Sequence, residues 1–279
     1  MFESIHTELT NLNHGNVGGS NSDNLPAWLP IMREFCFNVT LCEDFSFNER
    51  MFIIGMFLKQ AEQHINNTIR LEQMVNSYIE MANDGTLQKM FADLSPVSTL
   101  KWQIFYHQDR AFIASTKLKK HQADEESLSI SDTRFNECRQ QLLTLLKENK
   151  ANADQGDGEF FEKILQNAND KILPAYFKKN PQILINYVLY YLYHYQFMYK
   201  EGKSPFEFYR IMIVDLFMLT SYLAGIALQQ DTLNNESVTK LFQSYSRRRQ
   251  HRVGFIEIME EQLKKAGSQG AGSIFALLK

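Results

Sequence analysis

The stretch IMIVDLFMLTSYLAGIAL, Ile211 to Leu228, decides the fold. About twenty apolar residues in a row make a helix long enough to cross a membrane, and a helix at the centre of a large soluble bundle has the same composition. Asp215 separates the two. At the middle of a bilayer a carboxylate costs about 2.5–3.5 kcal/mol on the insertion scale. Thr220, Ser221, Tyr222 and Gly225 dilute the apolar run further. With mean hydropathy at -0.33 and no second comparable span, the run reads as a buried helix of a soluble protein. A buried carboxylate then needs a partner, since burial without one neutralises or destabilises it. Arg210 lies five residues earlier, off the three-or-four spacing that brings side chains on one helix together. The partner is therefore expected from another helix, with Asp215 in a structural hydrogen bond rather than in catalysis.

Working outward, the neighbouring segments are helical too. Ser204-Pro205-Phe206-Glu207 opens the apolar run with a capping box and a proline in the first turn, where its missing N–H is harmless. Ser46-Phe47-Asn48-Glu49 is a second capping box, followed by Met51, Ile54, Leu58, Ala61 and Ile65 on one face. Further helices are expected after Pro26, over Ile69 to Asn83 with Gly85 as a left-handed terminator, and over Leu100 to Ile113. Asn180-Pro181 reads as an N-cap with a first-turn proline before the tyrosine-rich segment Ile183 to Tyr199. Val238, Leu241, Phe242 and Tyr245 make one amphipathic face; Phe255, Ile256, Met259 and Leu263 make another. No alternating strand pattern and no fixed repeat is visible. The expectation is an all-α protein, an irregular multi-helix bundle around a long buried apolar helix, with no significant sheet. Residues 1–25 read as a flexible N-terminal segment and 26–279 as the helical domain. Candidate internal breaks are the polar stretch 117–131 and the turn-like stretch 151–158, and Phe135, Cys138, Leu142 and Leu145 restore the helical stripe between them.

Composition removes several classes of function. A net charge of -3 with pI near 6.2 does not suit a dedicated nucleic-acid binder. Met1 to Leu25 has no basic run followed by an apolar core, so no secretory signal is visible and a cytoplasmic location is expected. The glycines at 15, 18 and 19 match no nucleotide fingerprint and follow no apolar strand. Asp154, Gly156, Asp157 and Gly158 lack the oxygen-ligand spacing of a calcium loop. The seven histidines are scattered, and the single E-x-x-H, Glu3 to His6, stands alone where a bundle metal site would need two. Cys36, Cys42 and Cys138 have neither zinc nor cluster spacing and read as buried small hydrophobes. No catalytic residue and no metal ligand can be assigned from these patterns. One charged feature stands out: Arg247, Arg248, Arg249 and Arg252 surround His251 between two amphipathic helices. One or two cations suit a helix C-terminus; four in six residues form a candidate grip on an acidic surface or a phosphate.

The order of segments resembles a known family. Leu41-Cys42-Glu43-Asp44-Phe45-Ser46-Phe47-Asn48-Glu49-Arg50 with Gly55-Met56-Phe57-Leu58, the aromatic segment Asn186 to Leu192, the run from Tyr209 through Leu223-Ala224-Gly225, and Leu241-Phe242-Gln243-Ser244-Tyr245-Ser246-Arg247 followed by His251 and Phe255 are similar to segments of flagellin lysine-N-methylases. The likeness is looser over Trp28 to Phe105 and closer over Pro181 to Lys265. It implies methyl transfer from S-adenosylmethionine to lysines of bacterial flagellin, with flagellin as partner; the net charge and Asp215 leave neither nucleic acid nor membrane as an expected partner. It also implies an iron–sulfur centre held by an N-terminal cysteine-rich segment. Three cysteines fall short of the four thiolates such a cluster takes, so the cluster is expected to be absent from this chain. The resemblance assigns no residue of this chain to S-adenosylmethionine. Two functions follow: a methyltransferase in truncated or C-terminal form, or a non-catalytic helical module that binds flagellin or another protein.

Overall fold

A computed structural model of the chain describes residues 26–117, 125–150, 157–194, 203–250, 254–268 and 270–279. Among the described residues every regular element is a helix and none is a strand, as the sequence patterns require. The helices are α1 (Trp28–Leu41), α2 (Phe47–Ala61), α3 (Thr68–Asn83), α4 (Thr86–Ala92), α5 (Ser98–Lys117), α6 (Glu125–Lys150) and α7 (Asp157–Asn167). They continue with α8 (Leu173–Lys179), α9 (Gln182–His194), α10 (Pro205–Gln230), α11 (Asn235–Gln250), α12 (Phe255–Lys265) and α13 (Ala271–Phe275). The N-terminal segment expected to be flexible lies outside the described residues. They form two compact units: residues to Leu94 with Gln182–Arg210, and Ser95–Pro181 with Ile211–Leu277.

The first unit is built on α1, α2 and α3. Ser46 starts α2 as expected: its side chain accepts from the Glu49 N–H while Glu49 Oε2 accepts from the Ser46 N–H at 2.7 Å. Phe35 of α1 stacks on Phe57 of α2 at 3.8 Å, and Tyr78 of α3 stands edge-on to both rings at 5.6 and 5.5 Å. Gly85 adopts φ 78° and stops α3 in the left-handed conformation that a side chain would disfavour. Helix α9 lies against α1, and its Leu184, Val188, Tyr191 and Leu192 are buried. Ser204 caps α10 reciprocally with Glu207, at 2.7 and 3.2 Å.

Gly55 explains how the start of α10 meets α2. Tyr209 is fully buried and its hydroxyl donates to the Met51 carbonyl at 2.7 Å, which lays the ring across position 55. A β-carbon there would overlap the ring. Gly55→Ala is expected to lower stability by about 1–3 kcal/mol, as overpacked cores do, despite alanine's better helix propensity. Denaturant unfolding followed by circular dichroism checks this; a stabilised variant would show that the ring can move aside.

In the second unit the portion of α10 from Ile211 is buried throughout most of its length. By length and hydropathy α10 could cross a membrane, but 83% of its apolar window is covered by protein. Helix α5 packs on α7 and α12, and α6 on α11. Their core is aromatic: Phe105 meets Phe161 at 4.9 Å and Tyr222 at 5.8 Å, and Phe135 meets Tyr222 at 5.5 Å and Tyr245 at 5.9 Å.

Three local readings are corrected. Residues 125–131, expected as a loop or helix end, form the N-terminal end of α6, whereas Asp157 and Gly158 open α7 instead of closing a turn. Leu146, not Leu145, takes the buried position of the α6 stripe. Asn180 acts backwards: its Nδ2 donates to the Tyr176 carbonyl at 3.0 Å and closes α8. Between α7 and α8 the chain makes one π-helical turn, Ala168–Ile172. Pro174 accounts for it, because its ring cannot donate and clashes with the carbonyl four residues back, and a wider turn accommodates both.

Candidate functional site

The chemistry-bearing side chains of the second unit gather into two buried knots. In the first, Asp215 of α10 is completely buried. The Tyr245 hydroxyl donates to its Oδ1 at 2.8 Å, and the Arg249 guanidinium pairs with Oδ2. Both partners come from α11, four residues apart and so on one face, which meets the expectation of a partner from another helix. Burial pushes the Asp215 carboxyl up to about 6, with Arg249 and Tyr245 pulling the other way.

The second knot has no counterpart in the sequence reading. Asp109 of α5 takes two parallel bonds from Arg139 of α6, Nε to Oδ1 and Nη2 to Oδ2, each 2.5 Å. The Tyr222 hydroxyl of α10 adds a third to Oδ1 at 2.8 Å. Burial opposes the Arg139 charge, but the Asp109 carboxylate outweighs it and holds the guanidinium above its ordinary range. Burial also raises the Tyr222 phenol well above its ordinary value, and the Asp109 charge adds to the effect. The available signal was positional: Asp109 falls four residues after Phe105 and Arg139 four after Phe135, each in the register of an apolar stripe.

The arginine cluster is divided. Arg247 is exposed, whereas Arg248 and Arg249 are each 5% exposed. Arg249 is consumed by Asp215. The Arg248 guanidinium lies 5.1 Å from the centre of the Phe135 ring and donates from Nη1 to Asn136 Oδ1 at 3.4 Å. Arg252 lies outside the described residues, as does His251. Of the three described arginines, only Arg247 presents its charge to solvent. The expected grip on a partner thus rests on fewer cations than the sequence suggested.

All three cysteines are described, and all are free and buried: Cys36 in α1, Cys42 just after it, and Cys138 in α6. Burial raises each thiol pKa. Cys36 and Cys42 belong to the first unit and Cys138 to the second. Among the described residues no group of three or more His, Cys, Asp or Glu side chains is placed to hold a metal. An iron–sulfur cluster takes about four accessible thiolates converging on one centre; these residues do not fit it. The two knots, buried and bonded within themselves, tie together helices α5, α6, α10 and α11.

Comparison with known proteins agrees with the helix series. Searches of curated proteins and of solved structures give no match to the chain. The family described as FliB lysine N-methylase C-terminal domain matches residues 33–277, nearly the whole of both units. The chain therefore belongs to the FliB lysine N-methylase C-terminal domain family.

Proposed function

We propose that the chain serves the methylation of lysine side chains on bacterial flagellin, through its match to the C-terminal domain of the methylase, in the cytoplasm and with S-adenosylmethionine as methyl donor. The observation that carries this reading is the family match over residues 33–277. Methyl transfer to a lysine requires the neutral amine, so the lysine must lose its proton before attack. No side chain of the two buried knots is exposed to take that proton, and we assign no catalytic residue. Mass spectrometry of flagellin from cells with and without the gene tests the reading. Loss of lysine methylation on deletion is expected, and unchanged methylation would remove it.

The burial of the three thiols favours a second reading, in which the chain is a non-catalytic helical module that holds flagellin while the methyl donor is bound elsewhere. Calorimetry of the purified chain with S-adenosylmethionine separates the two. Saturable binding supports the methyltransferase, and its absence at millimolar donor supports the module.

A further inference from the structure

Outside the buried knots, the solvent face of α5 carries a second kind of feature. Trp102, Tyr106 and Arg110 follow one another at intervals of four, which stacks them along one side of the helix. The Trp102 and Tyr106 rings lie 5.8 Å apart. The Arg110 guanidinium sits 5.2 Å from the centre of the Tyr106 ring and donates from Nη1 to the Tyr106 hydroxyl. From beneath, Phe161 of α7 braces Trp102 at 5.6 Å, and His107 stands edge-on to Tyr106 at 5.4 Å. Tyr106 is 40% exposed and Arg110 is exposed.

The charges nearby are unevenly satisfied. Lys101 is paired with Glu162 at 2.7 Å and Lys265 with Glu261 at 2.7 Å. Among the described residues no carboxylate pairs with Arg110. His107 is lowered by its burial and then by the positive charges of Lys265 and Arg110. Tryptophan, tyrosine and arginine are the residues that dominate binding at protein interfaces, chiefly when packing already holds them in place. A stacked guanidinium with its outer edge in water is shaped to take a carboxylate through two N–H groups.

We propose that the Trp102–Tyr106–Arg110 face of α5 is a docking surface for a carboxylate-bearing stretch of the flagellin substrate. The proposal rests on the flagellin reading above. The ladder supplies apolar area that is ordered before binding, and Arg110 fixes the register by taking an Asp or Glu of the partner. Nucleic acid is the poorer occupant, because the chain as a whole carries a net charge of -3.

The test uses the full chain and purified flagellin monomer as probe, with affinity measured by calorimetry at two salt concentrations. Arg110→Glu and Tyr106→Ala are each expected to weaken binding about tenfold or more, and added salt to weaken the unmodified protein. Lys89→Glu, an exposed charge reversal on α4 of the first unit, is expected to change it less than about twofold. Circular dichroism confirms that each variant is folded. Equal affinity for all forms would overturn the surface while leaving the methylation reading intact, since deletion of the gene reports on that separately. No binding by the unmodified chain, binding of an oligonucleotide in place of flagellin, or self-association abolished by Arg110→Glu would each overturn it as well.

Discussion

Replacing Arg139 with methionine is expected to lower the unfolding free energy by about 3–5 kcal/mol, because it strands a carboxylate inside the second unit. Asp109 is 6% exposed and keeps only the Tyr222 hydroxyl once both guanidinium bonds are gone. Methionine fills much of the arginine's volume, so the loss reports mainly on the uncompensated charge and little on a cavity. In a unit of this size the midpoint of thermal unfolding should fall by about 10 °C. The pair itself need not be a large net stabiliser, since removing two charges from water offsets most of their attraction. The double variant Asp109→Leu with Arg139→Met is therefore expected to recover most of what the single variant loses. Urea unfolding of the three proteins decides it: a loss below about 1 kcal/mol in the single variant would show that Asp109 is not held as a buried anion.

Much of the fold was legible because its signals are local. Ser46 and Ser204 each stand three residues before a glutamate, and the hydrogen bonds that follow involve only those four residues. The 3.6-residue repeat of apolar side chains needs no knowledge of what they pack against, and it placed α2, α3, α11 and α12 within a few residues. Asp215 was a harder case. Its setting in an apolar run announced that a partner was needed, but the identity of that partner depends on how α11 lies against α10, which no local pattern encodes. The arginine cluster shows the opposite error. Counting four cations in six residues ignores register: Arg249 stands four residues after the buried Tyr245, itself four after the buried Leu241. Reading that stripe as core would have sent Arg249 inward, and the Asp109–Arg139 pair could have been found in the same way. Asn180 was misread because an asparagine beside a proline can close one helix or open the next, and only the geometry of Tyr176 settles the direction. No reaction chemistry could be assigned, because the two charged knots among the described residues are closed to solvent.

The two knots share a design. Each is an aspartate clasped by one arginine and one tyrosine, and each includes a residue of α10, with Asp215 and Tyr222 about two turns apart. Phe135 stands between the two tyrosines, edge-on to both rings. An apolar helix such as α10 can slide by a turn against apolar neighbours at little loss of buried area. A carboxylate that finds its donors in one register alone removes that freedom, which is the best-attested use of polar groups in helical cores.

The carboxyl of Asp215 also gives this part of the fold a pH dependence of unusual sign. Surface carboxylates that gain partners on folding have lowered pKa values and lose their stabilising effect on acidification; here burial dominates and the value rises to about 6. An unfolded aspartate titrates near 3.9. Between about pH 4 and pH 6 the folded protein therefore holds a proton that the unfolded chain releases. The contribution of this group to stability is fully present below about pH 4, falls as pH rises to about 6, and is constant beyond. Two pKa units correspond to about 3 kcal/mol across that window. Asp215→Asn keeps the shape and the acceptor for Tyr245 but cannot titrate, so it should lack this slope. Other groups titrate over the same range, and the informative quantity is the difference in unfolding free energy between the two proteins. Measured in urea at half-unit steps from pH 4 to pH 7.5, that difference should shrink by about 3 kcal/mol on going from the acid end to pH 6. A difference that is flat, or that grows with pH, would mean that Arg249 keeps Asp215 ionised throughout and that the ion pair outweighs burial.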